Sequence, residues 1–204
     1  MSHKPPPLQS GLFYHIYSRG INRENVFFED RNYAYFLALY AKHVTPVADT
    51  YAYCLMRNHF HFLVRIKSLE DTPGVLETPG VLRASDASQH FSNCLNAYAK
   101  AINKAYNRTG SLFQNRFGRI VVDSDAYFLT LIAYIHRNPE HHHFVDDFRI
   151  RPYSSYNALL SLKESRLRRD EVLDWFGSRE VFAAFHGRDL EMGSIAHLVV
   201  DDLV

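Results

Sequence analysis

The run "HFHFLVRI", residues 59–66, alternates with period two. In a strand alternate side chains share a face, so Phe60, Phe62, Val64 and Ile66 point one way into a core. His59, His61, Leu63 and Arg65 point the other way. Before it, "TYAYCLMRN" (50–58) is a second β-rich run, and the short Arg57-Asn58 connection between them predicts an antiparallel hairpin. "GLFYHIYSRG" (11–20) reads as a first strand ended by Gly20. In "DRNYAYFLALYAKHV", Tyr33, Phe36, Leu37 and Tyr40 recur at helical spacing, with Asp30 placed to cap the helix. A long helix is predicted over 87–107: Phe91, Leu95, Tyr98, Ile102 and Ala105 form its apolar stripe, and Asn96, Lys100, Asn103, Lys104 and Asn107 lie opposite. "FGRIVVD" then reads as a strand. "SDAYFLTLIAYIHRN" reads as a helix capped by Asp123 or Ser124, with Phe128, Leu131, Ile132 and Ile135 on its apolar face. Because the residue before a proline avoids the α region, that helix should stop near Arg137 or Asn138. The order predicts an α+β fold: a ferredoxin-like βαββαβ antiparallel sheet with helices packed on it.

The elements predict a flexible proline-rich lead over 1–10, one domain over 11–150, and a small, separate helical extension over 151–204. Within the domain, 71–86 forms an inserted loop in which Thr-Pro-Gly-Val-Leu occurs twice, at 72–76 and 78–82. Two units this short bury nothing, so the loop is a local duplication and not a solenoid. Trp175 and Phe176 are the extension's candidate anchors to the core.

The chain has 204 residues, is 47% hydrophobic, and carries a formal charge of only +1, so no global basic field marks a nucleic-acid partner. Its distribution says more. Residues 1–139 hold 15 basic against 10 acidic side chains, whereas 140–204 hold 8 against 12. The stretch 87–122 contains Lys100, Lys104, Arg108, Arg116 and Arg119 and no acid, a pattern that suits phosphates and equally an ordinary solvated surface. Cys54 and Cys94 show neither metal spacing nor a disulfide framework and read as buried thiols in a reducing compartment. With no apolar run of membrane-spanning length and no signal-peptide core, the expectation is a cytoplasmic protein.

Two imidazoles on one strand face lie about 6–7 Å apart at their Cα atoms, a spacing that lets both reach one cation. Two half-buried histidines satisfied by neighbours fit an isolated pair at least as well. On the last long helix, Tyr134 and Asn138 are four residues apart and stack at its end. A tyrosine there also serves as core with a wet hydroxyl, and the asparagine as a cap. A phenol, with a pKa near about 10, is a poor nucleophile at neutral pH unless something withdraws charge from its target. A divalent ion held by two imidazoles and an amide oxygen would do that to a phosphate, and the phenol could then form a covalent phosphotyrosine.

Four segments in order, "YHIYSRGINRENVFF", "MRNHFHFLV", "GSLFQNRF" and "YFLTLIAYIHRNP", resemble the single-tyrosine transposases of the HUH endonuclease superfamily, and within it the REP-associated tyrosine transposases. The resemblance runs from about residue 11 to 160. It implies a metal-dependent enzyme that nicks single-stranded DNA beside a hairpin, leaving a 5′-phosphotyrosine that is resolved by strand transfer. It implies His59 and His61 as metal ligands, Tyr134 as nucleophile and Asn138 as third ligand, with Mg2+ or Mn2+ as the working ion. Lys100, Lys104, Arg108, Gln114, Arg116 and Arg119 are the expected DNA contacts, and Tyr106, Phe113 and Phe117 the candidate base-stacking platforms. Single-stranded or hairpin DNA is the expected partner, a homodimer is open, and no membrane is involved. Where relatives often show Trp-Ser-Ser-Tyr this chain has Tyr153-Ser154-Ser155-Tyr156, and "EHHHFV" follows Pro139 in place of a small basic turn. Since three consecutive histidines cannot all face one ion, His141, His142 and His143 are expected to lie outside the metal site. Two other readings stand beside the first: a hairpin-binding protein that has lost turnover, and a phosphodiesterase that uses water with Tyr134 structural.

Overall fold

A computed structural model describes residues 7–68, 84–114 and 116–188. Most of the 1–10 lead, the duplicated TPGVL loop and the last residues, 189–204, lie outside the described residues. The strands are β1 (Phe13–Arg19), β2 (Ala48–Leu55), β3 (His59–Ile66) and β4 (Gly118–Val122). They form one sheet of order β2-β3-β1-β4 with antiparallel neighbours throughout. Helices α1 (Asp30–His43) and α2 (Ala84–Ala105) make the two crossovers, so the βαββαβ order produces the expected ferredoxin-like sheet. Then come α3 (Asp125–His141) and three short helices, α4 (Tyr156–Leu160), α5 (Arg169–Phe176) and α6 (Arg179–His186).

The pleat sorts the core into two layers. Ile16, Phe60, Phe62 and Val64 face α1 and α2, meeting Phe36, Phe91 and Tyr98 in one apolar cluster. On the opposite face Tyr51, Cys54 and Leu63 pack against Leu131, Ile132 and Ile135 of α3 and against Phe148, Tyr156, Phe176 and Phe182. Cys54 and Cys94 are both buried and unbridged.

Two local expectations change, and the cap of α3 falls on one of its two candidates. The N-cap of α1 is Glu29, not Asp30, because Glu29 and Asn32 close a reciprocal capping box. Ser124 caps α3 by accepting the Tyr127 N–H. Pro139 does not stop α3, which runs on to His141. A proline so close to the helix end removes one hydrogen bond, and the buried Ile135, Asn138 and Pro139 hold the backbone in place.

The extension is not a separate appendage. Residues 153–155 hydrogen-bond to the outer edge of β2 through Leu55 N–H to Tyr153 C=O (2.9 Å) and Ser155 N–H to Tyr53 C=O (2.9 Å). Arg168 N–H donates to the Thr50 carbonyl at 2.9 Å. This covers an edge that would otherwise offer unpaired backbone groups. Trp175 packs on Phe128 with ring centroids 4.7 Å apart, and Phe176 is buried, so both expected anchors engage.

A buried chain of hydrogen bonds ties the extension to α3. His186 Nδ1–H donates to the Phe182 carbonyl at 2.8 Å. A neutral His186 then presents a bare Nε2, which accepts from His136 Nδ1–H at 2.8 Å. His136 Nε2 accepts from the Ser155 hydroxyl at 2.7 Å, and that oxygen accepts the Tyr53 N–H at 2.8 Å. With both imidazoles neutral every bond of the chain has one donor and one acceptor; the Ser155 hydroxyl also lies 3.2 Å from the Tyr53 carbonyl. Burial pushes His186 down to about 4 from an ordinary 6.5, and burial followed by the charge of His186 pushes His136 well down. Between those two values the unfolded chain takes up protons that the folded one refuses, so stability falls as pH drops from 6.5 toward 4. His186 alone should cost about 2 kcal/mol between pH 7 and pH 5 in urea unfolding, with the other buried histidines adding in the same direction. His186→Phe should flatten that slope; a wild-type profile already flat over this range contradicts the account.

Candidate active site

Antiparallel pairing places Tyr17 opposite His61 and Arg19 opposite His59. His15, Tyr17 and Arg19 of β1 therefore share the face of His59 and His61, the face on which α3 lies. Tyr134 and Asn138, one turn apart on α3, are both fully buried there. His59 Nε2 lies 3.1 Å from Asn138 Oδ1. The His59 and His61 rings are 5.2 Å apart at 89°, and the Tyr134 ring is 5.7 Å from His61 at 77°. All four expected site residues come together within one chain.

Their supports come from residues the sequence reading passed over. His59 Nδ1 meets Asn58 Oδ1 at 2.7 Å. A neutral imidazole has one N–H, and His59 faces amide oxygens at both nitrogens. With the proton on Nδ1, Nε2 and Asn138 Oδ1 direct two lone pairs at one point. His61 Nδ1 meets His15 Nε2 at 2.8 Å, which fixes the inner nitrogen and leaves His61 Nε2 buried without a hydrogen-bond partner. Asn138 Nδ2 is likewise buried and unsatisfied. Burial pushes His15 down to about 3. Burial, with the charges of His142 and Arg19 adding and the Asn138 contact opposing, takes His59 to about 3. His61 is pushed well down by burial first and by its histidine neighbours next. All three are neutral at pH 7, the state in which an imidazole lone pair can bind an ion.

Among the described residues no three His, Cys, Asp or Glu side chains converge as a metal-binding group. The donor set is instead two imidazoles and an amide oxygen. The 3.1 Å between His59 Nε2 and Asn138 Oδ1 would let both donors reach one ion. The residues therefore fit a divalent ion, with His59 Nε2, His61 Nε2 and Asn138 Oδ1 as its holders. Of the histidine triplet, His142 stands apart from the expectation: its ring lies 4.8 Å from that of His59, at the end of α3.

The basic stretch divides on inspection. Lys100, Lys104, Gln114 and Arg116 are exposed. Arg108 is engaged with Glu24 at 2.8 Å, and Arg119 donates to Ser88 at 2.7 Å while lying over the Phe117 ring at 4.3 Å. Phe113 and Phe117 are core residues, and Tyr106 stacks on Phe28 with centroids 4.6 Å apart while its hydroxyl bonds Asn32. None of the three offers an open stacking face. Among the described residues no helix is long and apolar enough to cross a membrane.

Among solved structures, the chain is similar to a REP-associated tyrosine transposase bound to a REP hairpin, with a TM-score of 0.59 over 78% of this chain and 86% of that one. Identity is 13%, so the likeness is one of fold. No family model and no curated protein matches the sequence.

The His15–His61 bond yields a prediction. His15→Phe leaves a buried imidazole N–H without an acceptor and should lower stability by about 1–3 kcal/mol in denaturant unfolding. The same substitution should weaken Mn2+ affinity by about 10–100-fold in calorimetric titration. Unchanged affinity would show that His15 does not orient His61.

Proposed function

We propose that the chain is a metal-dependent single-stranded DNA endonuclease and strand transferase, a transposase that nicks near a DNA hairpin through a 5′-phosphotyrosine. One observation carries this reading: two neutral imidazoles, an amide oxygen and a tyrosine from one strand and one helix meet in a single buried cluster. The hairpin enters by way of the structural neighbour, which was solved bound to one.

His59, His61 and Asn138 would hold a divalent ion, which when bound would supply the positive charge that polarises a phosphodiester. Two nitrogen donors make Mn2+ a better match than Mg2+, which prefers an all-oxygen shell. Asn58 and His15 keep the two rings in the tautomers that turn Nε2 inward. The α3 helix sets the Tyr134 oxygen for in-line attack. As the P–O bond to the tyrosine forms, the P–O3′ bond breaks; the phenol gives up a proton and the leaving 3′-oxygen takes one. The phosphotyrosine conserves the bond for a later 3′-hydroxyl to reclaim. Exposed Lys100, Lys104, Gln114 and Arg116 hold flanking phosphates. Because the cluster is buried, the half-buried rings nearest it, Tyr17, His142 and Phe144, give way to admit the strand.

The test is incubation with labelled hairpin-flanked single-stranded DNA and Mn2+, followed by denaturation. Wild type should carry a covalent label, and Tyr134→Phe should lose it while still binding the hairpin. Cleavage that persists in Tyr134→Phe points to water as nucleophile, and tight wild-type binding with no adduct points to a hairpin-binding protein.

A further inference from the structure

Arg19, the last residue of β1, is opposite His59 and shares its sheet face. It is 8% exposed, and its Nε is buried with no hydrogen-bond partner. Among the described residues its side chain makes no ion pair. The chain matches its other partly buried cations: Arg108 with Glu24 at 2.8 Å, Arg168 with Asp49 at 3.0 Å, Arg151 with the Leu55 carbonyl at 2.7 Å. A cation this largely buried, with no carboxylate beside it among the described residues, is costly, and it is kept where something else supplies the counter-charge.

The backbone fixes this placement. Gln114 N–H donates to the Arg19 carbonyl at 2.8 Å, and Gly20 bridges to Phe113. A Cβ on Gly20 would lie 2.1 Å from the Glu24 carbonyl oxygen, so the tight turn after Arg19 admits only glycine. Arg19 thus stands between the exposed Gln114 and the histidines. A guanidinium and a divalent ion facing one cluster repel each other unless an anion lies between them.

We infer that Arg19 is a further catalytic residue, whose guanidinium receives a non-bridging oxygen of the scissile phosphodiester and stabilises the charge that grows there as Tyr134 attacks. The role in attack rests on the strand-transfer reading; the anion site rests on the unpaired charge alone. A guanidinium fork suits two phosphate oxygens, which a lysine ammonium cannot grip in the same way.

The experiment uses the full chain without metal, in thermal melts against inorganic phosphate, and then with Mn2+ and hairpin DNA in the adduct assay. Phosphate should raise the wild-type Tm and leave Arg19→Met unmoved. Without phosphate, Arg19→Met should melt above wild type, because a buried unpaired charge has been replaced by an apolar side chain of similar length. Adduct formation should fall by about 100-fold or more in Arg19→Met, with hairpin affinity kept within about threefold because the flanking phosphate contacts lie elsewhere. A Tm below wild type together with equal phosphate stabilisation of both proteins overturns the inference and makes Arg19 structural. Should Arg19→Met fail to fold, Arg19→Lys decides: behaviour identical to wild type in both assays overturns the inference, and reduced phosphate stabilisation with a slower adduct supports it. If wild type forms no adduct yet phosphate stabilises it and not Arg19→Met, strand transfer fails and the anion site stands.

Discussion

The antiparallel register between β1 and β3 is the constraint on which the site depends. A pleated strand sends alternate side chains to opposite faces, so one register decides what lies on each. Here it sends Ile16, Phe60, Phe62 and Val64 into the core against α1 and α2. The same register brings His15, Tyr17 and Arg19 to the face of His59 and His61. A slip of one residue would bury the histidines among phenylalanines and turn the phenylalanines toward α3. The core that stabilises the sheet therefore also specifies the site.

The site is built from groups kept neutral, and burial is the main cause. His15, His59 and His61 are all driven well below the range in which a free histidine titrates. Their lone pairs are thus available for an ion at neutral pH. The Ser155–His136–His186 chain applies the same device on the far side of α3, where its buried hydrogen bonds tie helix to extension. His136 lies two residues from both Tyr134 and Asn138, roughly opposite them around the helix at 100° per residue. Tyr134 and Asn138 are thereby held from behind as well as from the sheet.

Local periodicity made much of this legible. Period-two alternation identified the His59–His61 face, and 3.6-residue spacing set Tyr134 over Asn138. The partners of those residues were not legible, because they depend on contacts distant in sequence. His15 is 46 residues from His61, and Glu24 is 84 residues from Arg108. Phe113 and Phe117 read as possible stacking platforms because a buried and an exposed aromatic look alike in a short segment. The extension read as an appendage because its short helices carry little periodicity, and its contact with the β2 edge runs through backbone groups that every residue has. Pro139 misled for a simpler reason: the preference against α before proline is modest and yields to a buried helix end.

The central claim is that His59 and His61 jointly hold a divalent ion beside Tyr134. Pulsed electron paramagnetic resonance of Mn2+ bound to histidine-15N-labelled protein reads those ligands directly. The account predicts hyperfine coupling from two imidazole nitrogens, reduced to one in His59→Ala and in His61→Ala. Mn2+ bound with no histidine coupling, or a signal unchanged by both substitutions, would contradict it.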